Sequence, residues 1–110
     1  MDRKIALLIE YDGTKYYGFQ FQPNFPTIQG EIENALNNLN LSNERIEGAG
    51  RTDTGVHAKG QIASFITNSN LNIQDIKSGI NHFLPSDIAI QKAYEAPINF
   101  SPRRDAISRR

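Results

Sequence analysis

The chain has 110 residues, with twelve basic and twelve acidic side chains, 38% hydrophobic and 22% charged residues, and no cysteine. That length suits one domain with a single modest core, and the composition reads as folded rather than disordered. Lack of cysteine excludes disulfides, thiolate metal ligands and a cysteine nucleophile, and zero net charge argues against a general polyanion binder.

Ile5-Ala6-Leu7-Leu8-Ile9 is a continuous apolar run followed by turn chemistry in Tyr11-Asp12-Gly13-Thr14, the pattern of a central strand buried on both faces. Pro23, Asn24 and Pro26 mark a loop. Thr27 then offers a helix N-cap, with Glu31 and Glu33 near the positive end of the helix dipole. Ile28, Ile32, Ala35, Leu36 and Leu39 form one apolar stripe at helical spacing, which Asn40 to Asn43 ends. Arg45-Ile46-Glu47-Gly48-Ala49 is a second strand weakened by its glycine, and Gly50 to Gly60 reads as a polar, glycine-rich loop. Gln61 to Thr67 predicts the third strand through Ile62, Ala63, Phe65 and Ile66. Asn72 with Asp75 resembles a capping box. Ile73, Ile76, Ile80 and Phe83 follow at helical spacing, and Leu84-Pro85-Ser86 stops that helix. Ile88, Ile90 and Tyr94 mark the last strand.

The order β-α-β-β-α-β predicts an α+β, ferredoxin-like fold: one antiparallel four-stranded sheet with two helices on one face. With no internal repeat, low-complexity stretch or linker, residues 1–110 read as one domain. No apolar run approaches the ~20 residues of a membrane span, and Met1-Asp2-Arg3 leads straight into the first strand without a secretory core, so a cytoplasmic protein without a membrane partner is expected. Such a fold hosts many activities, so the function has to come from a site.

The most informative stretch is Gly48-Ala49-Gly50-Arg51-Thr52-Asp53-Thr54-Gly55-Val56-His57-Ala58. Its three glycines open backbone conformations closed to other residues and let a ligand approach closely. If the chain is extended there, Arg51 and Asp53 project to the same side, and a carboxylate beside a guanidinium stays ionised at neutral pH, as a nucleophile or base must. The plainer reading is an Asx-type turn with Arg51 paired on the surface. His57 is either a loop-packing residue, the more ordinary role, or a general base. Gly50 to Gly55 has the frame of a phosphate loop, but Val56-His57 stands where Lys-Ser/Thr would bind a nucleotide. His57 and His82 are too far apart in sequence to suggest zinc, and His82 suits the C-terminal end of its helix without any further role.

The segment Gly50 to Ala58 closely resembles the signature Gly-Arg-Thr-Asp-Ala-Gly-Val-His of the tRNA pseudouridine synthase A family. The similarity extends along the chain. Tyr11 to Gln20 resembles the family's opening strand and loop, with Phe19 where tryptophan is more usual. Thr27-Ile28-Gln29-Gly30 resembles the start of its first helix, Asn81-His82-Phe83-Leu84-Pro85 the end of its second, and Phe100-Ser101-Pro102-Arg103 its Phe-His-Ala-Arg segment. Thr54 replaces the usual alanine, and Arg104 a common aromatic. The resemblance implies isomerisation of uridine to pseudouridine in the tRNA anticodon stem-loop, with Asp53 as the catalytic carboxylate in the loop between the second and third strands. It implies that Arg51 steadies the site and helps hold the flipped nucleotide, that His57 lies in the same substrate-binding segment, and that Arg103 borders the RNA cleft. It also implies no cofactor or metal, since isomerisation conserves atoms and electrons, and a homodimer when full length. The family's stacking tyrosine and second α/β half would follow Ser108-Arg109-Arg110, so the chain reads as an N-terminal half with negligible activity alone.

Two other readings carry less. Residues 103–110 hold four arginines against one aspartate, leaving eight basic and eleven acidic residues elsewhere. This is a weak pointer to phosphate contacts, and a solvated tail is the favoured reading of this feature alone. An RNA-recognition module shares the strand-helix order, but Lys59-Gly60-Gln61-Ile62-Ala63-Ser64-Phe65 lacks the first aromatic pair of its strand signature.

Overall fold

The computed structural model describes residues 2–16, 22–24, 26–42, 46–48 and 58–101, with the backbone alone for 58–60. The apolar run near the N-terminus becomes β1 (Arg3–Tyr11), the axis of the fold. It pairs antiparallel with β3 (Ala58–Thr67) along one edge and with β4 (Ile88–Ala96) along the other. The short β2 (Glu47–Gly48) pairs antiparallel with β3, giving the sheet order β2-β3-β1-β4. With α1 (Ile28–Asn38) and α2 (Ile73–Phe83) this is the expected α+β, ferredoxin-like arrangement.

Alternation along β1 separates the two faces of the sheet. Ile5, Leu7, Ile9 and Tyr11 point into a core shared with Ile28, Ile32, Ala35 and Leu36 of α1 and with Ile76 and Ile80 of α2. Ala63, Phe65, Ile88 and Ile90 complete that core from the neighbouring strands. Each fully buried isoleucine or leucine contributes about 1.5–3 kcal/mol. On the opposite, open face lie Lys4, Ala6 and Leu8, beside Ser64, Ile66 and Tyr94.

The helix ends follow from local chemistry. Thr27 Oγ1 accepts from the Gly30 N–H at 3.1 Å, and Asn72 Oδ1 from the Asp75 N–H at 2.8 Å, each satisfying a donor without an intrahelical partner. Beyond α1, Asn40 takes the left-handed conformation at φ 56°, its N–H reaching the Asn37 carbonyl while that of Leu41 reaches Leu36, which is a Schellman closure. After α2, Leu84 is extended because Pro85 disfavours the helical region for the residue before it.

Two expectations are corrected. Ala58, Lys59 and Gly60 belong to β3 rather than to a loop, because Ala58 pairs with Tyr11 while Gln61 pairs with Ile9. One extra residue on β3 is thus accommodated as a bulge, a device no alternation pattern reveals. A second bulge lies in β4, where Leu8 pairs with Lys92 and Ile9 with Ile90. It keeps Ile88 and Ile90 on the core face and turns Tyr94 to the open one. Finally, Phe83 has core spacing yet is 43% exposed, since the core closes over Ile76 and Ile80. Among the described residues, no helix is long and apolar enough to cross a membrane.

Ile80→Ala would leave a cavity where α2 meets the sheet, costing about 2–5 kcal/mol, whereas Phe83→Ala at its exposed position should cost much less. Urea denaturation of the two variants checks the contrast.

Candidate functional site

Strand directions decide where the informative segments meet. β1 runs to Tyr11 at one end of the sheet, and β3 and β4, both antiparallel to it, begin there. β2 is antiparallel to β3 and so runs towards the same end. Residues 49–57 connect Gly48 of β2 to Ala58 of β3. Arg51, Asp53 and His57 belong to that connection and lie outside the described residues, as does Arg103; what can be built is the frame that carries them.

The first part of the frame is the turn after β1. Asp12 Oδ1 accepts from the Thr14 N–H at 3.0 Å and from the Thr14 hydroxyl at 2.6 Å, winding Gly13–Lys15 into a single 3-10 turn. The Asp12 N–H donates to the Asp87 carbonyl at 2.9 Å, and the Tyr16 hydroxyl to Asp87 Oδ1 at 2.7 Å. The end of β1 is therefore latched to the start of β4 twice. Burial, the hydrogen bond to Asp87 and the negative charges of Asp87 and Glu31 all push the Tyr16 hydroxyl well above the ordinary tyrosine range. Tyr16 remains a neutral donor throughout the physiological range.

The second part fixes the approach to β2. Glu33 Oε2 accepts from the Ile46 N–H at 2.9 Å and from Gln29 Nε2 at 2.6 Å, and Gln29 Nε2 also faces the Ile46 carbonyl at 3.4 Å. Two side chains one helical turn apart on α1 thus grip both polar groups of one backbone position, just before the strand that leads to residues 49–57. α2 treats β4 similarly. Asn81 Oδ1 accepts from the Ile90 N–H at 2.8 Å, and Asn81 Nδ2 donates to the Ile90 carbonyl at 3.1 Å.

The third part lies on the open face. After β4, the Phe100 N–H closes a turn on the Pro97 carbonyl at 2.9 Å, and Lys4 Nζ of β1 donates to the Phe100 carbonyl at 2.8 Å. The Ser101 hydroxyl then donates to Glu47 Oε2 of β2. Residues 97–101 therefore run across the sheet from the β4 edge to the β2 edge.

The sequence profile of the family described as tRNA pseudouridine synthase matches residues 7–103. This chain belongs to that family. It is 50% identical over 107 residues to the tRNA pseudouridine synthase A of Geotalea daltonii, covering 97% of this chain and 44% of the relative. It is 49% identical over 108 residues to that of Borrelia duttonii, covering 98% and 44%, and 43% identical over 108 residues to that of Thermotoga petrophila, covering 97% and 44%. The chain thus spans less than half the length of these relatives.

In this family member the segments that carry the resemblance converge. Tyr11 to Tyr16, Leu84-Pro85 at the close of α2 and the Ala58 stem of 49–57 share one end of the sheet, while Gly48 pairs with Ala63 midway along it and Phe100 and Ser101 reach β2 over the open face. Gln29 and Ser101 fall inside matched segments, but their contacts, 17 and 54 residues away, leave no mark on the sequence. The contacts of Tyr16, Glu33, Glu47 and Asp87 escape sequence reasoning for the same reason, although the i, i+4 spacing of Gln29 and Glu33 signals that they can meet. Among the described residues, no group of three or more His, Asp or Glu side chains could hold a metal ion.

Tyr16→Phe tests the latch. The folded chain keeps the Tyr16 proton above pH ~10, where an unfolded tyrosine loses it, so this group's stabilisation is complete below that pH and is lost as pH rises through the folded value. The variant should lose about 1–3 kcal/mol at neutral pH and show a shallower alkaline fall in stability, measured by denaturant titration at several pH values.

Proposed function

We propose that the protein to which this chain belongs converts uridine to pseudouridine in the anticodon stem-loop of tRNA, with Asp53 as its catalytic carboxylate. The observation that supports the reading is that Gly50-Arg51-Thr52-Asp53-Thr54-Gly55-Val56-His57 stands in the chain between β2 and β3, and that β3 begins beside Tyr11, where β1 ends. The N-glycosidic bond breaks, the uracil turns, and C5 bonds to the ribose carbon that N1 has left. C5 then gives up its proton and N1 gains one. Atoms and electrons balance within the substrate, so the reaction calls for no redox partner.

The target must leave the base stack first, at a cost of a few kcal/mol. Arg51 is suited to the displaced phosphate or the gap, His57 belongs to the same substrate-binding segment, and Arg103 contributes a phosphate contact at the cleft border. Asp53 serves by attack on ribose or base, or by proton abstraction. The full-length protein acts as a cytoplasmic homodimer, and residues 1–110 alone are inactive because the second half completes the cleft.

The alternative of a non-catalytic RNA-recognition module fares poorly on the sheet. Such modules stack bases on aromatics of the open face, whereas Phe65 of β3 is only 3% exposed and packs in the core. On that face β1 offers Lys4, Ala6, Leu8 and Glu10, none of them aromatic.

In the full-length protein Asp53→Asn keeps the size and turn-forming capacity of the side chain but removes its charge. Pseudouridine formation should vanish while tRNA affinity stays nearly unchanged, because affinity rests on cationic contacts to phosphate. Arg51→Ala should lose both turnover and some affinity, with a shallower salt dependence of binding. Tritium release from C5-labelled tRNA and filter binding, run side by side with the 1–110 chain as an inactive control, check these outcomes. Substantial turnover by Asp53→Asn would overturn the assignment.

A further inference from the structure

The segment 97–101 does more than leave the domain. Its contacts with Lys4 on β1 and Glu47 on β2 bracket Ala6 and Ser64, which point to the open face yet are 0% and 2% exposed. Ser64 pairs directly with Glu47 in the β2–β3 ladder, and its hydroxyl has no hydrogen-bond partner among the described residues. The Ser101–Glu47 bond between this segment and β2 is made on the second-last described residue before 49–57 and the last described residue before Arg103.

Taking Asp53 as the catalytic carboxylate, as proposed above, we infer that Ser101 and Glu47 form a positioning pair that couples the stem of the 49–57 connection to the segment carrying Arg103. β2 has only two residues in its ladder, too few to fix its direction unaided. Two further restraints act on it: the Gln29–Glu33 grip on Ile46 behind, and the Ser101 hydroxyl on Glu47 at the open face. The first comes from the helix layer and secures the strand as part of the fold. The second comes from a chain segment that itself continues to a substrate-binding arginine, so it sets the relation between two parts of the site. Neither Ser101 nor Glu47 touches the reacting atoms in this scheme; both act through the groups they hold.

The test uses the full-length protein and single-turnover pseudouridine formation on tRNA, with KM and thermal midpoint measured alongside. Ser101→Ala and Glu47→Ala should each slow the chemical step roughly 10–100-fold, the scale of a small misplacement of reacting groups, with KM changed less than threefold. The double variant should be no slower than either single one, since both remove the same contact. Ser101→Thr and Glu47→Gln preserve a hydroxyl donor and an oxygen acceptor and should recover most of the rate. A rate for Ser101→Ala within twofold of wild type, single effects that multiply in the double variant, or losses that follow the thermal midpoint and disappear at lower temperature would each overturn the pairing. A wild-type protein that forms no pseudouridine would instead refute the proposed function, independently of this pair.

Discussion

Strand β1 is the constraint on which the rest of the structure depends. It is hydrogen-bonded along both edges and buried towards the helices through Ile5, Leu7 and Ile9, so its register sets that of β3 and β4. A one-residue slip would carry those side chains to the open face and lose several kcal/mol of apolar burial. Because both neighbours run antiparallel to it, the end of β1 is necessarily the start of β3 and β4. β2, antiparallel to β3, runs towards that same end, a direction set by topology before any local interaction acts on it.

Local interactions then refine what topology supplies. Polar contacts add to the apolar packing: Asp12 and Tyr16 bond to Asp87 and Asn81 to Ile90 near the end of β1, and Gln29 and Glu33 hold Ile46 at the approach to β2. Each satisfies backbone or carboxylate groups at positions where the ladder is short, bulged or at an edge, where an unpaired buried group would cost about 1–3 kcal/mol. Both bulges lie beside the last residues of β1, which lets β3 and β4 change direction near the candidate site without disturbing the core below.

Much of this was legible in the sequence. The central place of β1, the capping residues Thr27 and Asn72, and the break at Asn40 follow from local chemistry that a single chain segment contains, although only one face of β1 is packed under the helices and the other carries the partly exposed Lys4 and Leu8 and the exposed Glu10. What stayed hidden involves partners far apart in sequence. Lys59 and Gly60 carry no mark of their bulge, because it is defined only against Ile9 and Tyr11. Phe83 has the spacing of a core residue, and only the extent of the sheet beneath α2 leaves it exposed. The site was legible in a different way: the residues from Gly50 to Ala58 pointed to chemistry through resemblance, whereas Tyr16, Glu33, Glu47 and Ser101 emerged only when the strands were laid side by side.

The central claim is that the sheet end where β1 finishes, rather than the open face, is where RNA meets Asp53. A crystal structure of the full-length protein bound to an anticodon stem-loop RNA tests it most directly. The account predicts a uridine turned out of the stack at that end, with the Asp53 carboxylate about 3–3.5 Å from its glycosidic carbon or reacting base atoms. RNA bases stacked across the open face over Leu8 and Tyr94, with Asp53 remote from every nucleotide, would contradict it.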